Sequence, residues 1–538
     1  MVIASGALHV VTAWQSLGYH QLDEHFQILE MLSYQLGHTP RAGLPIDFSQ
    51  QVRPFLAIAP MYVVARGVQV FSDSPIVLER AIRLLAAGLG FATTTLLASR
   101  LRGELKTERA RLFGTAFLLL YWPFLYTHAR LSAEPWGSNA FYAALLLLPR
   151  GGERSPWREI GSGLLLGAAF HLRYHLGVAM VGCAGLWVVE RRALPFFGRV
   201  ALGFAGTFAL GVLADRWGYG AWALPAWNYF HSQIIRRDVE LAGVSPWWWY
   251  FQEITLTLVP PFGALVLGVV GWFGYRHPKH PFVAPGLLFF AVHVAIRHKE
   301  LRFLTPLLPL VPWAIAHALD TIDRAWLRRT VLAYAVVSAL VAPAMLFRRA
   351  NFPQYYFEYV VEHYWHGGYD VVWHGRPPMQ LADIPVYYYR PSRYVETELR
   401  SLDDLPLVLA TRRREVLLFE ASFDPAPAIE QSCRLLVRTV PDYLYRPEIV
   451  GAIDPTVRWS LYACRDGREI EYARAPTQSV SCVGAPPRSL PSAGGARSRP
   501  GPPWRALLPS QEIQTRTPAT GPWSAVPALP SGSTANTW

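Results

Sequence analysis

The chain has 538 residues, of which 52% are hydrophobic and 16% are charged, whereas soluble domains typically carry ~25% charged residues. With a mean hydropathy of +0.18, this composition excludes a disordered protein, a coiled coil and a secreted disulfide scaffold for most of the chain. The net charge of +12 comes largely from arginines between apolar runs, so we expect membrane lipids and no nucleic acid as partners. The cysteines have no CxxC spacing, and we expect no metal and no cofactor.

Apolar runs recur along residues 1–347 and predict a polytopic α-helical membrane protein with about 11–12 hydrophobic segments. Residues 1–347 form the predicted membrane-embedded domain. Segment 54–70 contains Pro54, Pro60 and Arg66, so we interpret it as re-entrant or interfacial. The segments lie near residues 2–17, 54–70, 81–99, 110–128, 134–149, 159–172, 174–190, 199–214, 256–275, 281–296, 303–319 and 329–347.

Five basic loops separate these segments and define the predicted orientation. Because cytoplasmic loops of membrane proteins are enriched in Lys and Arg, we place all five on the cytoplasmic side. Arginine supplies nearly all of the positive charge, which favours a bacterial inner-membrane protein whose site faces the periplasm or exterior. In a eukaryote the site would face the ER lumen. The basic loops are residues 100–111, 150–158, 191–199, 276–279 and 324–329. The opposite, extracytoplasmic face receives residues 129–134, 215–255, 297–302 and the chain after 348.

Beyond residue 348 the long apolar runs end, and residues 348–483 are predicted to form a small extracytoplasmic α/β domain. Cys433 and Cys464 both lie in it, as a disulfide or as two buried thiols. Residues 484–538 are rich in Pro, Ser and Gly and are predicted to be a disordered tail. The predicted strands are Leu405–Thr411, Val416–Glu420, Leu435–Val440 and Trp459–Ala463.

The first candidate site is an acidic turn, residues 19–27, which carries the adjacent carboxylates Asp23 and Glu24. Neighbouring residues of a helix point in different directions, so one carboxylate can face a cleft while the other braces the turn. A surface helix that begins with acidic residues is the alternative, because the helix dipole favours them there.

The second candidate site is a cationic loop, residues 297–303, between two apolar segments. His298, Lys299 and Arg302 are cation-capable side chains on the side that normally lacks them, with Glu300 among them. We therefore expect a local anion, and a phosphate group at the membrane surface fits. Long basic side chains that reach for the interface are the alternative interpretation.

Weaker candidates lie on the same predicted face. Trp248 and Tyr250 belong to an aromatic cluster that an interfacial belt would also explain. Asp215 ends an apolar segment. Arg130, Ser132 and Glu134 share a short turn, and these residues could simply pair with each other.

Two of these motifs resemble those of a known family. The run LDEHFQILE, residues 22–30, resembles the HPDE-FQ-E motif in the first luminal loop of the membrane mannosyltransferases that build GPI anchors and extend dolichol-linked oligosaccharides. The run HKELRFLTPLLPL, residues 298–310, is similar to their HKE-RF-P-PL signature. The runs RLSAEPW, DRWGYG and SPWWWYF follow the family order. Departures are Leu22 for proline, Ala133 for asparagine, and Gln-Val before Arg53 where an acidic-Arg-Ser run is common.

The resemblance implies a C-superfamily glycosyltransferase of family 22. Such enzymes move a sugar, mannose in the best-known members, from a polyprenyl- or dolichyl-phosphate carrier to an acceptor hydroxyl on a glycan or glycolipid, with inversion. Asp23 is then the expected base, with Glu24 bracing it or binding acceptor. His298, Lys299 and Arg302 would bind the donor phosphate. Further candidates are Arg53, Arg130, Glu134, Asp215, Trp248, Tyr250 and Glu300.

Two other functions are compatible with a polytopic chain. A lipid-linked sugar flippase or another transporter often shows internal repeats with interrupted helices, and the sequence shows none. A catalytically inactive scaffold would not need Asp23, Glu24, Lys299 and Arg302 together.

Overall fold

The structure is a computed structural model. It describes residues 1–148, 155–258, 262–367, 369–382, 384–391, 396–412, 414–421, 427–441, 444, 453 and 457–464. Residues Met1–Arg474 form one compact unit. The predicted tail, 484–538, lies outside the described residues, and the proposed domain boundaries at 347/348 and 483/484 stay predictions.

The described residues of 1–347 are mainly helical, as predicted. Several helices begin at a proline, whose fixed φ suits the first helical turn and whose missing N–H has no partner to lose there. Helix α11 ends at Gly220, which adopts the left-handed conformation (φ 70°) that glycine accommodates without strain. The helices are α1 Val2–Gln15, α2 Glu30–Gln35, α3 Ile46–Ser49, α4 Ile58–Gln69, α5 Pro75–Glu104, α6 Glu108–Leu120, α7 Trp122–His128, α8 Ala133–Leu147, α9 Pro156–Leu172, α10 Leu176–Val189, α11 Leu194–Tyr219, α12 Pro225–Phe230, α13 Trp249–Thr257, α14 Phe262–Arg276, α15 Val283–Ala295, α16 Leu310–Thr321, α17 Ala325–Leu346, α18 Pro353–Tyr364, α19 Leu405–Thr411 and α20 Pro427–Ser432.

Three described helices, α5, α11 and α17, are long and apolar enough to cross a membrane. The pair Leu301–Leu307 and Leu310–Thr321 would form a fourth span with a bend of 50°. Shorter apolar helices, such as α1 and α15, accompany them. These helices support the predicted membrane location, while the number of spans stays a prediction.

Two predicted apolar segments differ in detail from the helices that they form. Segment 110–128 is divided into α6 and α7 at Tyr121, because Pro123 starts a new helical turn there. Segment 54–70 forms only the short helix α4, whose twelve residues follow a non-helical stretch around Pro54.

The C-terminal region contains a five-stranded mixed sheet with the strand order β4-β1-β5-β7-β6. Strand β1 pairs in parallel with β4 and β5, while β7 pairs antiparallel with β5 and β6. A disulfide joins Cys433 and Cys464, which face each other on β6 and β7. The strands are β1 Tyr369–His374, β2 Gln380–Leu381, β3 Ile384–Pro385, β4 Glu396–Glu398, β5 Glu415–Glu420, β6 Cys433–Arg438 and β7 Ser460–Cys464.

The predicted strand at Leu405–Thr411 is wrong, because that segment is helix α19. Pro406 occupies its first turn, where proline favours a helix. Leu405 and Leu409 are the buried residues of the helix, and their spacing of four places them on one face. The other three predicted strands correspond to β5, β6 and β7.

The C-terminal region packs directly against the acidic turn. Phe26 of that turn shares a hydrophobic core with Phe357 of α18 and with Trp459. Glu30, which is fully buried, accepts hydrogen bonds from the backbone N–H groups of Tyr387 (2.7 Å) and Tyr388 (3.0 Å). Residues of the C-terminal region therefore hold the acidic turn and the helix that follows it in place.

Candidate active site

The acidic turn holds its two carboxylates in different environments. Glu24 is 2% exposed and accepts hydrogen bonds from the N–H groups of His20 (3.0 Å) and Leu131 (3.3 Å). The side chain of Asp23 is 34% exposed. A π-helical turn, Glu24–Leu29, follows at once, a rare geometry that is frequent at functional sites. Glu24 therefore holds the backbone of the turn, while the side chain of Asp23 is partly exposed.

Arg302 connects the acidic turn to the cationic loop. Its Nη2 atom lies 2.7 Å from Oδ2 of Asp23, and its Nε atom lies 2.6 Å from Oε2 of Glu300. Glu134 is a third carboxylate, 3.7 Å from the same Nε atom. The two sequence motifs thus meet at one guanidinium group.

Glu300 lies between two cationic groups of the loop. The Nε2 atom of His298 is 3.1 Å from Oε1 of Glu300, and Nδ1 of His298 donates to the carbonyl of Gly243 at 2.9 Å. Burial would raise the pKa of Glu300, but the contacts with His298 and Arg302 lower it to about 2. The Glu300 hydrogen bond in turn raises the pKa of His298 above its ordinary value.

Lys299 is buried, with 6% of its surface exposed. Its ammonium group donates to the carbonyl of Ile296 and lies 6.0 Å from the centre of the Tyr250 ring. Among the described residues no carboxylate lies within ion-pair distance of it, and burial lowers its pKa. Tyr250 itself is buried and donates from its hydroxyl to the Glu300 carbonyl at 3.3 Å. Trp248 is 51% exposed and lies at the surface.

Asp23 carries a negative charge at neutral pH. Burial would raise the pKa of its carboxyl, but the positive charges of Arg302 and Arg53 outweigh burial and lower the pKa below the ordinary value. An ionised carboxylate at the edge of a cleft can accept a proton from a bound hydroxyl group.

Asp215 is a buried residue that holds the backbone next to the site. It is fully buried, and its Oδ1 atom accepts from the N–H of Phe55 at 2.7 Å, while Oδ2 is 2.9 Å from Nε2 of His171. The hydroxyl of Tyr219 donates to the Arg53 carbonyl at 2.6 Å. Asp215 and Tyr219 therefore position the loop that presents Arg53.

Within the short turn, Glu134 forms a hydrogen bond with Ser132, whereas Arg130 and Glu134 do not pair with each other but have separate partners. Arg130 is buried, donates to the carbonyls of Ser16 and Gly18 and stacks on Tyr126 at 4.7 Å. The side chain of Arg130 therefore contacts the residues that follow the end of α1. Glu134 forms its ion pair with Arg173, 2.7 Å away.

Arg173, which follows α9 and precedes α10, is a further residue of the site that the sequence motifs did not predict. A signal was present, because Arg173 lies between two apolar segments on the predicted extracytoplasmic face, as the cationic loop does. Its guanidinium group stacks on Phe303 at 5.5 Å and so belongs to the same site. Among the described residues, no group of three or more His, Cys, Asp or Glu side chains could hold a metal ion.

Comparisons with known proteins agree on one family. Residues 2–364 match the profile of the Alg9-like mannosyltransferase family. GPI mannosyltransferase 3 of Yarrowia lipolytica is 25% identical over 376 residues, which are 64% of this chain and 66% of that relative. GPI alpha-1,2-mannosyltransferase 3 of Danio rerio is 32% identical over 108 residues, 19% of each chain.

Among solved structures, ArnT from Cupriavidus metallidurans bound to undecaprenyl phosphate aligns with a TM-score of 0.47 at 12% identity. The alignment covers 86% of this chain and 97% of ArnT. The family profile spans well over half of the chain and includes both the acidic turn and the cationic loop. The chain therefore belongs to the Alg9-like mannosyltransferase family.

Proposed function

We propose that the protein is a membrane glycosyltransferase that moves a sugar, mannose by family, from a polyprenyl- or dolichyl-phosphate carrier to an acceptor hydroxyl on a glycan or glycolipid. The reaction inverts the anomeric carbon and takes place at the extracytoplasmic face. The observation that carries the proposal is the Asp23–Arg302 ion pair of 2.7 Å, which brings a carboxylate base and a cationic loop into one site. The named relatives and the family profile support the reaction class.

The two halves of the site suit the two ends of the transferred sugar. Asp23 accepts the proton of the acceptor hydroxyl as its oxygen attacks the anomeric carbon. The bond from that carbon to the phosphate oxygen breaks, and its electron pair stays on the departing lipid phosphate. The positive charge that develops on the sugar resembles that in glycosidase transition states.

Lys299 and Arg302 stabilise the departing phosphate. Lys299 is the stronger candidate, because it has no carboxylate partner among the described residues. Arg302 already contacts Asp23, and a bound phosphate would compete with Asp23 for that guanidinium group. Donor binding would then weaken the Asp23–Arg302 pair and make the carboxylate a stronger base when the acceptor arrives.

Glu300 and His298 prepare the loop for this task. Glu300 neutralises part of the positive charge of Arg302 and His298, so the loop is stable before the donor binds. His298 anchors the loop to Gly243, on the extracytoplasmic stretch that contains Trp248.

The purified protein, reconstituted in lipid vesicles with radiolabelled polyprenyl-phosphate mannose and a lipid extract as acceptor source, tests the proposal. We expect label to leave the carrier and enter a new glycan or glycolipid, and Asp23→Asn to slow this transfer ~10²–10⁴-fold. Label that crosses the bilayer while still on its carrier would indicate a flippase and contradict the proposal.

A further inference from the structure

A cleft lies beside Arg173, a residue of the candidate site. It is partly open to solvent, and its lining includes Gln27, Arg53, Arg173, Tyr174 and Tyr229. Neither the cationic loop nor Asp23 is part of its lining. An open cleft with aromatic walls and a few polar groups is the usual form of a small-ligand site.

Arg173 contributes a buried guanidinium group to this cleft. The residue is 8% exposed, and its Nη2 atom forms the ion pair with Glu134. Its Nε atom is buried and has no hydrogen-bond partner among the described residues. A buried donor without a partner is costly to a protein, and a ligand in the cleft would supply an acceptor for it.

Arg53 lines the same cleft on the first loop of the chain. Its Nε atom contacts Oδ1 of Asp47 at 3.0 Å, and its side chain is 19% exposed. The guanidinium group stacks on the Tyr229 ring at 5.8 Å. Guanidinium groups bind carboxylates and phosphates with two parallel hydrogen bonds, so two arginines at one cleft favour an anion.

The aromatic wall completes the site. The rings of Tyr174 and Tyr229 lie 5.5 Å apart. The hydroxyl of Tyr174 is a buried polar group that also has no hydrogen-bond partner among the described residues. Apolar ring faces beside free polar atoms suit a sugar ring with hydroxyl groups at its edge.

The cleft is linked to the catalytic residues at two points. Glu134 lies 2.7 Å from Arg173 and 3.7 Å from Arg302, so it contacts both arginines. Arg53 is close enough to Asp23 for its positive charge to lower the pKa of that carboxyl. An acceptor in the cleft would therefore lie near the proposed base.

We propose that this cleft binds the acceptor and that Arg53 and Arg173 recognise an anionic group on it, a phosphate or a carboxylate next to the sugar that receives the new linkage. The inference rests on the proposed transfer reaction for its assignment to the acceptor. It adds an acceptor class, an acidic glycan or glycolipid, and two specificity-determining residues.

Equilibrium binding without any donor tests the site. The probes are mannose 6-phosphate for a phosphate, glucuronate for a carboxylate and mannose as the neutral sugar, each titrated onto the purified full chain in nanodiscs. We expect at least one anionic probe to bind tenfold or more tighter than mannose. Equal affinities for all three probes would overturn the proposal, and the preferred anion would identify the acidic group.

Single substitutions show which residues cause the tighter binding of the anionic probes. Arg53→Gln should reduce the ratio of anionic to neutral affinity at least tenfold, whereas Arg41→Gln, on an exposed arginine of the same loop outside the cleft, should leave the ratio unchanged. Arg173→Lys keeps the charge next to Glu134 but loses the guanidinium fork, and should reduce the ratio as well. A ratio that survives Arg53→Gln but is lost in Lys299→Ala would assign the anion to the donor site and overturn the proposal.

The experiments distinguish failure of the proposed transfer reaction from failure of the acceptor inference. If the anionic preference depends on Arg53 but no sugar is transferred in the vesicle assay, the anion site stands and the transferase proposal falls. If transfer occurs and the preference is absent, the acceptor inference alone is wrong.

Discussion

Replacement of Asp23 by Asn separates catalysis from folding. The substitution keeps the size of the side chain and its position near Arg302 but removes its basicity. Loss of a general base typically reduces rates ~10²–10⁴-fold, which corresponds to ~3–5.5 kcal/mol at ~1.4 kcal/mol per factor of ten. We expect turnover to fall by that factor.

The expected cost in stability is much smaller. Opposite charges ~4 Å apart attract by ~4 kcal/mol at an effective dielectric constant of ~20. The Asp23 side chain is 34% exposed, so solvent screening reduces its pair with Arg302 toward the ~1 kcal/mol or less of exposed ion pairs. The asparagine oxygen still accepts a hydrogen bond from the guanidinium group.

Glu24→Gln is the matched control. Both carboxylate oxygens of Glu24 accept backbone N–H groups, and a glutamine offers only one oxygen. One buried N–H then loses its partner at a cost of ~1–3 kcal/mol. Turnover of radiolabelled donor and thermal unfolding in nanodiscs are measured for both variants. Near-normal turnover in Asp23→Asn together with loss in Glu24→Gln would reverse the two roles, and near-normal turnover in both would refute the mechanism.

Three further predictions concern the cationic loop and the membrane topology. Lys299→Ala should raise the KM for the lipid-phosphate donor at least tenfold while the protein still accumulates, since a charge-assisted contact contributes ~1.5–3 kcal/mol; an unchanged KM would place the phosphate elsewhere. Because the folded pKa of His298 is raised, its contribution to stability is complete below its unfolded pKa of ~6.5 and is lost as the pH rises through the higher folded value. The unfolding temperature of the wild type should therefore exceed that of His298→Gln most at pH 6, and an excess that grows with pH would contradict this. Single cysteines at Leu301 and Gln380 should react with an impermeant maleimide in intact cells, and labelling only after permeabilisation would invert the proposed topology.

Local patterns in the sequence predicted the helical membrane part and most of the sheet. The length of an apolar segment and the positive charge of a loop depend only on residues that are neighbours in the sequence. Both can therefore be recognised without knowledge of tertiary contacts. The segment Leu405–Thr411 shows where this fails, because its short apolar run suits a strand or a buried helix equally, and Pro406 decides in favour of the helix.

The site residues came chiefly from motif resemblance, while their partners required the fold. The unusual positive charge at Lys299 and Arg302 predicted that a negative charge lies nearby. It did not predict that Asp23, which is distant in the sequence, supplies part of that charge. Long-range pairs of this kind leave no local pattern. Arg173 could have been found by the rule that singled out Lys299, since both lie beside apolar segments.

Asp215 shows a second kind of partner that requires the fold. An acidic residue at the end of an apolar segment suggests a ligand site, yet the structure assigns both of its oxygens to His171 and Phe55. The sequence contains no signal for these partners, because they lie on other elements.

The stereochemistry of the transferred sugar shows whether the reaction is a single displacement with Asp23 as the base. NMR of the product from reconstituted protein, with anomerically pure polyprenyl-phosphate mannose as donor, reports the configuration at the transferred carbon. A single displacement with Asp23 as the base predicts the configuration opposite to that of the donor, in the wild type and in the slow residual reaction of Asp23→Asn. A product that retains the donor configuration would exclude a single in-line displacement and would contradict the proposed mechanism.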